Sequence, residues 1–303
     1  MDVLCVGHAA WDISVFVPAY PAENSKAETD TMIECGGGPA ANAAYLLSRW
    51  GASCALAAAL GADSYARRIL DEFALVGTDT SLAQQSPDRA TPVSVILVNQ
   101  TSGSRTIVNR KREDRPAPFE LSPAPAWSPP PRVLLFDGHE LGASLEAMRR
   151  FPDAKSILDA GSLREGTRVL SGRVDYLVSS ERFARQFCGI PDLETPERRQ
   201  TAVAALYAHN GRPVVITLGE RGLVYGTGDG FWHLPAFPVQ AVDSTAAGDI
   251  FHGAFAYGIL TGLGWLETLR LASAAAAISV TVRGGRTSIP SLDQVQEMVG
   301  RAR

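Results

Sequence analysis

From Val133 onward the chain alternates short apolar runs with helix-like segments, and this rhythm restricts its fold more than any other feature. The runs Val133–Phe136, Ser156–Asp159, Tyr176–Val178 and Val214–Thr217 read as strands. Between them, Ser144–Arg150, Thr167–Leu170, Glu181–Phe187 and Glu197–His209 carry helical character, and Leu223–Tyr225 adds a last short strand. Strands joined by helical crossovers pair in parallel, and a parallel sheet covered on both faces has near-continuous apolar strands. Val3–Gly7 fits the same sheet, and a further unit follows in the strand Ser53–Gly61 and the helix Ser64–Leu75. The expectation is a doubly wound α/β sheet flanked by helices, with ligands outside the C-terminal ends of its strands.

The 303 residues, 46% of them hydrophobic, suit one α/β domain spanning 1–303. A net charge of −4 without a dense basic patch argues against nucleic acid, and no apolar run approaches a membrane span. The N-terminus reads as a strand, not as a signal peptide. Cys5, Cys35, Cys54 and Cys188 lack metal-ligand spacing, so a reducing cytoplasm is the expected setting.

A second group of strands stands outside this rhythm. Trp11–Val17 alternates in polarity, Thr31–Glu34 suits an edge, and Thr91–Val98 and Arg105–Asn109 flank a turn at 99–104. Segments of about 12–34 and 91–110 would form a small separate sheet, whose exposed edges make pairing with a second subunit plausible. Lys26, Arg105 and Asn109 on these elements could reach a ligand or could simply be solvated surface. The proline-rich stretch 110–131 reads as a stiff connector.

Two glycine-rich or small-residue turns precede helices. Gly36-Gly37-Gly38-Pro39 leads into a helix over Ala40–Trp50, closed by Gly51. Asp243-Ser244-Thr245-Ala246-Ala247-Gly248-Asp249 follows an extended segment, Phe237–Val242, and leads into a helix marked by Ile250, Phe251, Ala254, Phe255 and Ile259. Free amides and the positive end of a helix dipole make such a mouth an anion site. Asp249 there is either a general base beside a phosphate-stabilising hole or an ordinary helix cap. His252, further into the same helix, either meets substrate or packs in the core.

The two turns, in this order and about 200 residues apart, resemble the paired signatures of the ribokinase-like (PfkB) carbohydrate kinases. The likeness extends over essentially the whole chain. It implies a ribokinase-like fold whose small sheet is a lid over the sugar, often pairing in a homodimer. It implies transfer of the γ-phosphate of ATP, with Mg2+, to a sugar hydroxyl. Asp249 would be the base, with the amides of Ala246, Ala247, Gly248 and Asp249 as the anion hole. Asp12, Gly37, Gly38, Asn42, Asn109 and Asp137 would face the sugar. Thr217, Gly219, Gly222, Gly248, Ala275 and Ser279 would face the nucleotide, the last two on an alanine-rich helix read over Leu271–Val282. A monovalent cation, K+ being the candidate, would sit near Asp243, Thr245 and Gly284.

Two features depart from the family pattern. Ala246 stands where glycine is usual, and Ser180-Glu181-Arg182-Phe183 replaces the Asn-x-x-Glu motif that influences Mg2+ and phosphate, which leaves Glu181 as a weak candidate. The wording around Gly103–Val108, Asp137-Gly138 and Gly284-Gly285-Arg286 looks like the ketohexokinase and sulfofructose-kinase side of the family. His139, near where an anion-binding arginine is expected, argues against a sulfonated sugar. A neutral ketohexose such as fructose is therefore the preferred acceptor, with ribose, a nucleoside or a sugar phosphate as alternatives. A dinucleotide oxidoreductase is disfavoured because Val6-Gly7-His8-Ala9-Ala10 lacks the Gly-x-Gly-x-x-Gly turn. A catalytically silent nucleotide- or sugar-binding regulator is the remaining reading of another class.

Overall fold

The computed structural model describes residues 1–110, 119–121 and 127–301, so most of the expected proline-rich connector lies outside the described residues. In chain order the first elements are β1 (Val3–Val6), β2 (Ala10–Val17), β3 (Met32–Gly37) and α1 (Pro39–Arg49). Then come β4 (Cys54–Gly61), α2 (Ser64–Val76), β5 (Ala83–Ser86), β6 (Val93–Asn99) and β7 (Arg105–Arg110). The alternating half follows as β8 (Val133–Phe136), α3 (Leu141–Arg150), β9 (Lys155–Ala160), α4 (Glu165–Ser171), β10 (Tyr176–Ser180), α5 (Glu181–Cys188) and α6 (Pro196–Asn210). It closes with β11 (Val214–Thr217), β12 (Leu223–Gly226), β13 (Phe231–Leu234), α7 (Ala247–Thr261), α8 (Trp265–Ser279) and α9 (Leu292–Arg301).

Nine strands form the main sheet in the order β13-β12-β11-β10-β9-β8-β1-β4-β5. Every neighbouring pair is parallel except β11–β12 and β12–β13 at one edge. Alternation along central β1 divides two cores. Val3 and Cys5 join the core beneath α1, α7 and α8, whereas Leu4 and Val6 join the one beneath α3 to α6. This is the doubly wound, ribokinase-like architecture expected from the sequence.

The four-stranded second sheet runs β3-β2-β6-β7. Its β6–β7 turn is pinned by Asn99, whose side-chain oxygen accepts from Thr101 N at 2.9 Å and whose carbonyl accepts from Gly103 N at 2.8 Å. The hairpin tip rests on the loop before α7: Ser244 N donates to Gly103 O at 3.3 Å.

Four features differ from expectation. Edge strand β5, with sequence Ala-Gln-Gln-Ser, has no apolar run to betray it. Strand β13 and helix α9 were also not anticipated, although Leu292, Val295, Met298 and Val299 lie at helical spacing on one side of α9. Helix α8 begins at Trp265 rather than near Leu271, starting at a Gly264 whose N–H is bonded by Glu267.

Helices α1 and α7 pack through small residues. A Cβ on Gly253 would lie 3.1 Å from Ala43 Cα, so the two backbones approach as closely as glycine allows. Ala246, the residue before α7, adopts φ 60° and ψ 5°. The left-handed region costs a Cβ-bearing residue roughly 1–2 kcal/mol, while glycine adds about 0.5–1 kcal/mol of unfolded-chain entropy. Ala246→Gly should therefore raise unfolding free energy by about 0.5–1 kcal/mol. Denaturant titration measures this, and unchanged or lower stability would contradict a strained Ala246.

Candidate active site

Helix α7 presents its first turn without a side-chain cap. Ile250 N already bonds Ala246 O at 2.9 Å, whereas the amides of Gly248 and Asp249 have no acceptor among the described residues. The carboxylate of Asp249, at the same mouth, accepts from Asn42 Nδ2 at 2.7 Å. Asn42 is itself buried, and its Oδ1 has no partner among the described residues. It projects from the first turn of α1, which starts after Gly38 (φ 96°) with Pro39 in the first helical positions. Burial pushes the Asp249 pKa up to about 7, reinforced by the nearby Asp159 carboxylate and opposed by Asn42 and His252.

Asp12 lies buried on β2, against the end of β3. A Cβ on Gly37 would stand 2.0 Å from its Oδ2, and one on Gly38 2.5 Å from His8 O, so both positions require glycine. Burial raises the Asp12 pKa to about 6 against the pull of Ser94, Arg286 and Arg105. Asp137 sits at the end of β8 with its oxygens turned to the backbone. It accepts from His8 N (2.7 Å), His139 N (3.0 Å) and Ala40 N (3.2 Å), and lies 3.1 Å from His139 Nδ1. Burial works against its charge, yet His139 and the backbone donors hold the carboxyl well below the usual carboxylate range. Asp137 thus fastens β1 and α1 to β8. Asn109 is exposed on β7 opposite Ser94, which itself lies opposite Asp12, and Lys26 is exposed beside Glu28.

Three further polar groups join the site: Arg105 and His252, each open from sequence between a ligand contact and an ordinary surface or core role, and Asp159. Arg105 reaches from β7 to donate to Ser244 O at 2.8 Å and Ser244 Oγ at 2.7 Å. Asp159, buried at the end of β9, lies 3.3 Å from His252 Nδ1, and burial together with Asp137 pushes its pKa up to about 8. His252 packs in the core, with Nδ1 2.6 Å from Gly248 O and Nε2 3.2 Å from Val178 O, and burial lowers its pKa. The strand-end position of Asp159 and the helical spacing of His252 were visible, but not that they meet.

Beside this cluster opens a cavity of about 490 Å³. Thr217, Gly219, Gly222 and Gly248 line it, as expected. Helix α8 contributes the stripe Ser273, Ala276, Ala277 and Val280. Ala275 and Ser279 point instead into the core: both are fully buried, and Ser279 Oγ donates to Ala276 O at 2.8 Å. Arg105 and Ser244 mark the end of the cavity nearest the small sheet.

Asp243 ties two loops together by accepting Thr245 N at 2.9 Å and Gly284 N at 2.8 Å. Thr245 Oγ1 is buried without a partner among the described residues. In the altered motif, Glu181 pairs with Arg221, and Phe183 is a core residue stacked on Phe187.

The model of pfkB family carbohydrate kinases matches residues 1–292. The chain belongs to that family. It is accordingly a phosphotransferase with an alcohol group as acceptor. A deoxyribokinase of Salmonella typhimurium is 25% identical over 305 residues, covering 98% of both chains. A ribokinase of Haemophilus influenzae is 27% identical over 274 residues, covering 88% of each. Among solved structures, an Arabidopsis thaliana ribokinase complexed with ribose and ATP superposes with a TM-score of 0.79 at 24% identity, with 98% of each chain covered. That last likeness is one of fold.

The α8 stripe makes a direct prediction. Ala277→Leu extends into open cavity and should leave the melting temperature nearly unchanged, whereas Ala275→Leu overpacks the core and should cost about 1–3 kcal/mol. Thermal unfolding of both variants checks the assignment of faces, and equal losses would contradict it.

Proposed function

We propose that this kinase transfers the γ-phosphate of ATP to a hydroxyl of a small neutral sugar, with Asp249 as general base. The observation that carries the reading is the pairing of Asp249, its pKa raised to about 7, with two free amides at the mouth of α7. A base poised near the working pH removes a hydroxyl proton efficiently. Phosphoryl transfer otherwise asks for alignment and charge stabilisation.

The nucleotide lies in the cavity between Thr217–Leu223 and the α8 stripe, with its phosphates toward Gly248. The sugar lies between Asp12, Gly37, Gly38 and Asn42, beneath the four-stranded sheet as a lid. Its attacking oxygen forms a bond to the γ-phosphorus as the bond from that phosphorus to the bridging oxygen of ADP breaks, and Asp249 takes the proton. The amides of Ala247, Gly248 and Asp249 receive the charge moving onto the phosphoryl oxygens. Asn42 orients the carboxylate, and its unpartnered Oδ1 is free to accept from a sugar hydroxyl. Arg105 stands where it can close over the transferring group. Asp137 holds the glycine turn in place rather than touching the sugar.

Mg2+ arrives with the nucleotide. Among the described residues no group of three or more His, Cys, Asp or Glu is arranged to hold a metal, which suits a cation bound mainly by phosphates and water. When bound, it neutralises phosphate charge. The buried Asp243 carboxylate and the unpartnered Thr245 hydroxyl also fit a monovalent cation beside Gly284, K+ being the candidate.

For the acceptor, the names of the relatives support ribose or deoxyribose, and none supports the fructose preferred from sequence wording. An aldopentose therefore ranks first here. Met32, Val95, Ile107 and Val108 are exposed apolar side chains on the small sheet, which supports homodimerisation through it. Free cysteines fit a cytoplasmic setting.

ADP release should be measured with Mg-ATP and a panel of ribose, deoxyribose, fructose and nucleosides. One pentose should dominate, and Asp249→Asn should lose about a thousandfold or more in kcat while still binding ATP. Near-normal turnover in that variant would remove the base assignment; ATP binding without turnover on any sugar would favour a silent regulator. The sign of the pH dependence also follows. Asp249 must be deprotonated to act, so kcat/KM should rise with pH through about 7 and level off above it, and a profile flat from pH 5.5 to 8 would contradict this.

A further inference from the structure

We infer that Arg286 is a positioning residue for the sugar side of the site: it holds the glycine end of β3 in the shape that seats Asp12. The inference rests on the reading of Asp12 and Gly37 as sugar contacts. Arg286 is 3% exposed, within a stretch where Gly284, Gly285, Ser288, Ile289 and Pro290 are buried as well. Its guanidinium lies over two adjoining rings, with Cζ 5.0 Å from the centroid of Tyr45 and 4.6 Å from that of Phe73. One nitrogen, Nη1, bonds Glu72 at 2.7 Å. Glu72 in turn accepts Gly36 N with both carboxylate oxygens, at 3.1 and 3.0 Å.

Glycine geometry shows how tightly these parts fit. A Cβ on Gly36 would stand 2.1 Å from Arg286 Nη1, so the strand lies directly on the guanidinium. One residue on, a Cβ on Gly37 would stand 2.0 Å from Asp12 Oδ2. On the other side, a Cβ on Gly285 would lie 4.0 Å from Asp12 Oδ2, 3.3 Å from Thr245 Cγ2 and 3.4 Å from Ala246 Cβ. Arg286 therefore joins the glycine strand, helix α2 and the loop facing Thr245 and Ala246. Displacing it moves the seat of Asp12.

The energetics argue against a role in stability alone. Nε and Nη2 of Arg286 are buried without partners among the described residues. A buried ion pair with unsatisfied donors is commonly no better than apolar packing, and the place over the Tyr45 and Phe73 rings would suit methionine. What methionine would not supply is the charged contact that fixes Glu72 on Gly36 N.

The test compares wild type with Arg286→Met, Arg286→Lys and Glu72→Gln, using steady-state kinetics for sugar and ATP separately and amide hydrogen exchange at residues 34–38. Arg286→Met should keep its fold, raise the sugar KM about tenfold or more and leave the ATP KM within about twofold. Exchange at Gly36 should accelerate about tenfold or more. Arg286→Lys, which keeps the charge but not the planar fork, should fall between. Sugar and ATP KM both unchanged, or both raised together with a falling melting temperature, would overturn the inference. If Arg286→Met does not fold, Glu72→Gln carries the same test, because it weakens the pair while leaving Gly36 an acceptor. If wild type phosphorylates no sugar, the functional reading fails, and the exchange arm still judges the strut: unchanged protection at Gly36 would overturn it.

Discussion

The close approach of α1 and α7 is the contact on which the site depends. Gly253 lets the α7 backbone meet Ala43, and Ala40, Ala41, Ala44 and Ala254 keep that seam narrow and buried. Only at this separation can Asn42 reach Asp249 at 2.7 Å across 207 positions of sequence. One packing contact therefore fixes the relation between the two signature turns. The glycine turn before α1 brings the sugar side, and the small-residue turn before α7 brings the base and the free amides. A bulkier side chain in the seam would separate them without altering either turn.

The electrostatics follow from crowding four carboxylates, Asp12, Asp137, Asp159 and Asp249, at the C-terminal ends of the parallel strands. Like charges in a poorly solvated space cannot all ionise comfortably. Asp137 is held ionised by three backbone N–H groups and His139. The other three are pushed upward by burial and also by neighbouring carboxylates, Glu72 for Asp12, Asp137 for Asp159 and Asp159 for Asp249. Separation of this kind, one carboxylate fixed as structure and another poised near neutrality, is how a site assigns distinct roles to chemically identical groups.

Much of the fold was legible because its signals are local. The apolar runs of β1, β8 and β11 and the turn at Asn99–Gly103 announce themselves within a few residues. Strand β5 did not, because at the sheet edge Ala-Gln-Gln-Ser needs only backbone pairing with β4. At the site, Asp249 and the glycines were legible because glycine and small-residue turns before helices have a physical meaning in sequence, whereas Asp12 and Asn42 entered only through the family resemblance. The α8 face was misread by one or two residues, since an alanine-rich helix shows no polarity from which to orient it; Ser273, Ala276, Ala277 and Val280 became visible only with the cavity. The meetings of Arg105 with Ser244, Asp159 with His252 and Glu72 with Arg286 are long-range side-chain contacts, and no local pattern encodes them. Ala246, standing where glycine is usual, takes a positive φ that its residue type does not announce.

A structure of the protein with its sugar and a non-hydrolysable ATP analogue tests the central claim most directly. The account places one sugar hydroxyl oxygen within about 3.2 Å of an Asp249 carboxylate oxygen, in line with the γ-phosphate, whose oxygens meet the amides of Gly248 and Asp249. A complex in which Asp249 bonds only Asn42 and no hydroxyl comes within reach of it, or in which the γ-phosphate lies away from the mouth of α7, would contradict that account.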